Sequence, residues 1–363
     1  MRGSSFPPGR QSLLRSLKPL SVADVVLLAQ QFIRSGNLEM ARQLCQEAEA
    51  HWGLDTALSV THAMVELATG QRHVAEVMLD EVLADHPEHP SALYTSAWMN
   101  IQRGKPINAR DQLLTLVRVF ADYPGALSTL ATLLMPGPSY REVLAFVHET
   151  LQPRAYLEIG VEAGTTLQLA QFSSIVVGID PDLSALQKDK PVSAARLFPC
   201  TSDDFFDRQS QRSALNGRPL DMALMNGTRQ FEVALRDFYN VESWAWPKTV
   251  VIMTNVLPIL PMVASREQQT KFWAGDTWKA LWTLLEYRED LTITVIPTPP
   301  SGLAVIRNLD ARRTMSESQV DEAIARFTTR PYPEDEPGQF PSHLPLVANT
   351  ESGWCEALGV RED

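Results

Sequence analysis

Basic charge, histidine, cysteine and long apolar runs are all scarce in this sequence. The 363 residues carry 32 Lys and Arg against 43 Asp and Glu, a formal net charge of −11, and the pI is about 5.2. An acidic chain is a poor binder of phosphate backbones, so no nucleic-acid partner is expected. No stretch approaches the roughly 20 apolar residues that a membrane helix needs, so no membrane partner is expected either. The three cysteines (Cys45, Cys200, Cys355) stand far apart, in neither a metal-type spacing nor a disulfide framework. They point to a reducing, cytoplasmic setting. Residues 1–21 contain Arg2, Arg10, Arg15 and Lys18 but no continuous apolar core. They read as a basic flexible arm rather than a secretory signal. Of seven histidines, none lies between His148 and His343. That whole segment therefore lacks the commonest general base.

What is present begins with a repeat. Gly36, Gly70 and Gly104 recur every 34 residues, as do Ala41, Ala75 and Ala109, and as do Ala29, Ala63, Ala97 and Ala131. Small residues at these places let two helices cross closely, and the glycine supplies the turn between them. Units at 22–55, 56–89 and 90–123 follow, with a fourth, 124–135, that breaks at Met135–Pro136–Gly137–Pro138. The pattern resembles the tetratricopeptide repeat (TPR). Gly53 and Ala121 replace its usual terminal proline. Trp52 and Trp98 read as core positions. Such stacks form a solenoid whose concave face holds a protein or peptide partner. The alternative use is packing on a neighbouring domain or forming a homodimer.

From 136 to 330 the pattern changes to strands alternating with helices. SYREVLAFVHETLQ has helical spacing, with Val143, Leu144, Val147 and Leu151 on one stripe. AYLEIG, SIVVGID, ARLFPC, LDMALMN, TVVIMTNVL, LTITVIPT and GLAVIRNLD read as strands. TTLQLAQF, LSALQKD, SDDFFDRQSQRSAL, FEVALRDFYNVESW and REQQTKFWAGDTWKALWTLLEYR read as helices, the last in one or two pieces. Apolar β-branched strands between helices indicate a parallel sheet covered on both faces. The final two strands share a short turn and so pair antiparallel. Five parallel strands plus a terminal hairpin resemble the α/β Rossmann-like fold of class I methyltransferases. Residues 331–363 form a Pro-rich acidic tail, expected to run extended over a sheet edge and to dock through Trp354.

Glu158–Ile159–Gly160–Val161–Glu162–Ala163–Gly164–Thr165–Thr166 follows the first strand. Ligands of such sheets sit at the carboxyl ends of the strands. Gly160 permits a sharp turn and Gly164 a close approach. Glu162 stands where a dinucleotide-binding loop has its middle glycine, which argues against NAD. The ExGxxxG form resembles the S-adenosylmethionine (SAM) loop of class I methyltransferases. The resemblance implies cofactor contacts at Glu158, Gly160, Gly164 and Thr165. It also implies a ribose contact at Asp180, which ends the second strand, and adenine contacts at Ser202 and Asp203 after the third. Asp180 before Pro181, and Asp203, also suit helix caps.

NGTRQFEVALRDF, TVVIMTNVLP and GDTWK resemble one bacterial branch of these enzymes, whose corresponding strings run close to IDGxHxFExxLRDF, DDVLP and GDVWK. In related catechol-type enzymes, acids at the ends of the fourth and fifth strands hold Mg²⁺. The matching positions here are Asn226, Thr254 and Asn255, all neutral, so no tight metal is expected. Arg229 stands at the histidine of that motif. It cannot take a proton, but it can bind an anion, or pair with Glu232 on the following helix. Glu232, Asp237 and Lys248 remain as candidate bases, and Tyr239 as an orienting group. Two functions fit. One is a SAM-dependent methyltransferase with a metal-independent acceptor site, whose repeats recruit a protein or carrier-bound substrate. The other is a pseudoenzyme that scaffolds an active partner.

Overall fold

The structure is a computed structural model that describes residues 21–186, 195–207, 213–313, 315–333 and 339–361. It divides into two compact units, residues 1–130 and 131–363. Most of the basic arm lies outside the described residues. Among the described residues, no helix is long and apolar enough to cross a membrane.

In the first unit, α1 (Val22–Arg34) pairs with α2 (Leu38–Trp52), α3 (Thr56–Ala68) with α4 (Arg72–Asp85), and α5 (Pro90–Gln102) with α6 (Pro106–Val119). The 34-residue columns have their expected physical meaning. Ala29, Ala63 and Ala97, like Ala41, Ala75 and Ala109, have no exposed surface. Gly36, Gly70 and Gly104 have φ of +75°, +85° and +67°, and a β-carbon there would meet nothing within 4 Å. These glycines are needed for the sign of φ alone, not for space. Asp55 caps α3, accepting from the Ala57 and Leu58 amides. Trp52 packs half-buried on the first core cluster. Trp98 departs from the expectation of a core residue: it is 44% exposed. The small Ala97 beside it fills the helix crossing, which turns the indole outward.

Helix α7 (Ala126–Leu134) ends before the expected Met135–Pro138 break. The next helix, α8 (Tyr140–Leu151), starts at Tyr140, as α6 starts at Pro106, again 34 residues apart. The repeat spacing thus runs one helix beyond the break. The apolar stripe of α8 (Val143, Leu144, Val147) belongs to the core of the sheet unit.

That sheet has seven strands: β1 (Ala155–Ile159), β2 (Ile175–Ile179), β3 (Ala195–Phe198), β4 (Leu220–Met225), β5 (Ala245–Thr254), β6 (Thr292–Ile296) and β7 (Leu303–Arg307). Their order is β3-β2-β1-β4-β5-β7-β6. The first five are parallel, and β7 inserts antiparallel between β5 and β6. This is the Rossmann-like layout of the class I methyltransferase fold. β1 and β2 are buried along their whole length, which explains their unbroken apolar character.

Several local expectations are overturned. TTLQLAQF forms only a 3₁₀ turn at Leu167–Leu169, because the Thr166 hydroxyl is drawn to Oε1 of Glu158 (2.5 Å). Residues 266–277 are not helical. The indoles of Trp273 and Trp278 donate to the carbonyls of Ser265 and Ala264, and Gly275 takes φ +71°. Helix α11 therefore begins only at Trp278 and runs to Tyr287. Of LSALQKD, residues 187–189 lie outside the described residues and Leu183–Leu186 closes a turn rather than a helix. Helix α9 (Ser202–Asp207) is shorter than the stretch expected, whose continuation over 208–212 is likewise outside them. Helix α10 (Phe231–Glu242) forms as expected.

The tail is more than a wrapping. Val295 of edge strand β6 exchanges backbone bonds with Pro345 and Val347, covering that edge. After the unforeseen α12 (Glu317–Phe327), the chain ends in α13 (Glu351–Leu358). Trp354 packs on Phe146 and donates to Asn349, and Ala357 and Leu358 join the sheet core. The sheet unit therefore extends past residue 330, the boundary expected from composition.

Candidate functional site

The turn after β1 is built by packing as much as by sequence. Gly160 has φ +85°, and its amide donates to the carbonyl of Ile179 on β2. A β-carbon on Gly160 would lie inside contact distance of Asn226 and Gly227 after β4. The ends of β1 and β4 thus touch backbone to backbone. Glu162, also at positive φ (+47°), turns its amide onto Oδ2 of Asp180 at 2.9 Å. The other oxygen of Asp180 accepts from Asp182 at 2.9 Å. Asp180 thus ties its own turn and the neighbouring loop together, and its carboxylate still borders open space.

That space is a cavity of about 470 Å³ at the carboxyl ends of the strands. Gly160, Asp180, Ser202, Asp203, Asn226 and Asp237 are among its lining residues. A larger cavity, about 770 Å³, lies at the opposite strand ends, bordered by Arg154, Asp221 and Lys248. Of the expected site residues it holds only Lys248, one of the candidate bases. The smaller cavity is the candidate site, because crossover sheets converge their loops and amide groups at the carboxyl ends.

Six sequence-predicted residues meet there: Gly160, Asp180, Ser202 and Asp203 from the cofactor set, Asn226 from the reacting set, and Asp237 from the candidate bases. Three others of the cofactor set do not line it. Glu158 is fully buried beneath the loop, where its carboxyl accepts from Tyr156 (2.8 Å) and Thr166. Burial pushes its pKa up to about 7, against the pull of those two donors. Gly164, at φ +73°, faces Leu186, and Thr165 is half-buried outside the lining. Their part is to shape the loop.

At the β4 and β5 ends the expected metal positions form a neutral hydrogen-bond chain. Ser301 donates to Oδ1 of Asn255 (2.8 Å), Asn255 to Thr254 (3.1 Å), and Thr254 to Oδ1 of Asn226 (2.9 Å). Asn255 sits at φ +61°, a left-handed turn that asparagine tolerates. Each of the three side-chain oxygens at Asn226, Thr254 and Asn255 accepts one bond within this chain. Among the described residues, no group of three or more His, Cys, Asp or Glu is placed to hold a metal.

Arg229 is held against Trp273. Its guanidinium donates to the carbonyl of Trp273 (2.5 Å) and lies over that indole ring. The expected pairing with Glu232 does not form: Glu232 is held by Arg266 instead, which lowers its pKa. The shared word GDTWK explains this turn. Gly275 lies against the backbone of Arg229, Asp276 accepts from the Phe231 amide at the start of α10 (2.8 Å), and Lys279 pairs with Asp276. Lys248 lies at the opposite strand ends, and the Tyr239 hydroxyl is turned to the sulfur of Met315.

Asp237, from the other shared word, ALRDF, is the candidate base that does reach the cavity. It is 3% exposed, lines the cavity, and its Oδ1 has no hydrogen-bond partner among the described residues. Burial raises its pKa to about 7, opposed by Ser202 and helped by Asp203. Its placement was hidden in the sequence because it depends on which face of α10 the sheet covers.

No protein-family model matches this chain, and no curated protein does. Solved structures with a partial likeness include cofactor-bound Rv0187 from MTB, at 16% identity and a TM-score of 0.38 over 53% of this chain and 94% of that one. An O-methyltransferase from Bacillus cereus in complex with SAH has 14% identity and a TM-score of 0.38, over 53% and 94%. A tetratricopeptide repeat protein from Parabacteroides merdae has 21% identity and a TM-score of 0.28, over 34% and 50%.

Proposed function

We propose that the sheet unit binds SAM at the carboxyl ends of β1, β2, β3 and β4 and serves a metal-independent methyl transfer. One observation carries the reading: loops from four strands bring Gly160, Asp180, Ser202, Asp203 and Asn226 to a single cavity of about 470 Å³. That size suits a nucleoside-containing ligand. Asp180 would hold the ribose hydroxyls, Ser202 and Asp203 the base, and the Gly160 turn the amino-acid end. When bound, SAM supplies a methyl group on a sulfonium, activated for attack by a nucleophile.

The protein's own share is alignment and exclusion of water. The chain from Ser301 to Asn226 offers fixed dipoles and no strong base at the reacting end. An acceptor already carrying a free lone pair, such as a carboxylate or a weakly basic amine, suits that end. The repeats would present it as part of a protein or a carrier. The neutral chain equally favours a second reading, in which the nucleoside is bound without turnover and the repeats scaffold an active partner.

Calorimetry with SAM and with its demethylated product, with and without Mg²⁺, tests the first step. Binding of both, unchanged by Mg²⁺, is expected; binding of neither would remove the reading. Turnover on a carboxylate or amine acceptor then separates the enzyme from the scaffold.

A further inference from the structure

We propose that the cavity at the opposite strand ends is a second ligand site, for a small organic dianion. It measures about 770 Å³ and shares no lining residue with the candidate cofactor cavity. The site starts from an irregularity in the sheet. Leu220 of β4 pairs with Ala245 of β5, and Met222 with Val250, so Asp221 alone faces four residues, 246–249. Such an excess bulges one strand and re-aims its side chains. Hydrogen bonds fix its shape: the Trp246 amide donates to the Thr249 hydroxyl (2.9 Å), which donates to the Leu220 carbonyl (2.5 Å). Lys248, in the middle of the bulge, is exposed, and its ammonium lies 5.8 Å from the centre of the Trp246 ring.

Charge points to the ligand. Three cations line the cavity, Arg154, Lys248 and Arg307, against one carboxylate, Asp221. Oδ2 of Asp221 is held by the amides of Arg154 and Ala155, both at 2.9 Å. Among the described residues none of the three cations has a carboxylate within ion-pair distance, whereas Arg42, Arg266 and Arg288 each do. The gathering stands out in a chain of net charge −11. Like charges collected in a concave space repel one another, and the same space concentrates anions. Arg307 packs its guanidinium against Gly359, after α13, so it supplies charge rather than a contact. Arg154 and Lys248 are exposed and make the contacts. A guanidinium grips two oxygens side by side, and an ammonium acts as a point charge. Leu151, Trp246 and Pro247 offer an apolar wall for the body of the ligand, and the volume lies in the range that encloses small organic molecules. Two contacting cations call for two negative charges, which a phosphate monoester or a dicarboxylate supplies.

The test is a binding measurement that needs neither SAM nor catalysis. Phenyl phosphate, phthalate and neutral phenol are titrated calorimetrically into the full chain at low salt and pH 8. Wild type should bind at least one of the two dianions and ignore phenol. Tighter binding of phenyl phosphate assigns the site to organic phosphates, and tighter binding of phthalate to dicarboxylates. Arg154→Ala combined with Lys248→Ala should weaken the bound dianion at least about tenfold, the worth of a lost charge-assisted contact. Arg72→Ala, which removes one positive charge from the exposed surface of the repeats, should leave it unchanged. The proposal is overturned if neither dianion binds, if phenol binds as tightly, or if the double variant matches wild type. An equal loss in Arg72→Ala also overturns it, because net charge alone would then be at work. Should the double variant fail to fold, Lys248→Gln is measured in its place, and affinity equal to wild type refutes the site.

Discussion

The two ends of the candidate cavity differ in charge. Towards β2 and β3 stand three carboxyl groups, Asp180, Asp203 and Asp237. Towards β4 stands the amide of Asn226, from which a neutral chain runs behind the cavity through Thr254 and Asn255 to Ser301. Carboxyl groups accept strongly from ribose and base donors, so the first end is suited to a nucleoside. The second end offers no carboxylate from those four side chains, whereas Mg²⁺ favours charged oxygen ligands in near-ideal geometry. The two groups can therefore vary independently. Different strands supply the two, and they meet only where Gly160 touches Asn226 and Gly227.

Breaking that meeting point should have the largest effect. Gly160→Ala forces a side chain into positive φ and against the Asn226–Gly227 backbone, at a cost of about 3 kcal/mol. Urea unfolding of the variant should show the midpoint fall, with SAM binding lost alongside. Asp180→Ala should act on the nucleoside end only. It removes a charge-assisted acceptor and should weaken SAM at least about tenfold by calorimetry; unchanged affinity would refute the ribose contact.

Next comes pH. The folded-state pKa values of Glu158 and Asp237 are both raised, to about 7. The native state then holds protons that the unfolded chain has released, so stability should fall as pH rises from about 4 to 7 and level off above. Denaturation at pH 5, 6, 7 and 8 reads that slope, and Asp237→Asn should flatten part of it. Sharpening the contrast from the other side, Asn226→Asp with Asn255→Asp should create a weak Mg²⁺ site, in the millimolar range, absent from wild type by calorimetry.

The smallest effect belongs to the repeats. Gly70→Ala meets only the backbone penalty, with nothing nearby to clash, so it should cost about 1 kcal/mol and leave SAM binding unchanged. A thermal melt compared with that of Gly160→Ala separates the two uses of glycine: sign of φ alone, and sign of φ plus space.

The repeat columns were legible because each repeat makes the same local demand. A close helix crossing needs alanine and a tight turn needs glycine, wherever the unit recurs. The strands were legible for a similar reason, since burial on both faces leaves an unbroken apolar run. The helix expected over 266–277 was not borne out: the indoles of Trp273 and Trp278 bind carbonyls 8 and 14 residues back, which a helical period does not announce. That Arg229 places one N–H on the carbonyl of Trp273 was not legible either, since it depends on the packing of the turn before α11.

Sequence alone determined the repeat period, the order of the strands, and the absence of acids at Asn226, Thr254 and Asn255 and of histidine between His148 and His343, because these are matters of composition and local spacing. Tertiary structure alone decided that Glu158 lies beneath the loop, that the neutral side chains join into one chain, and that Asp237 borders the cavity. Each of those depends on which groups distant in sequence share one dry space, where a partner, or its lack, sets the energy of a polar atom.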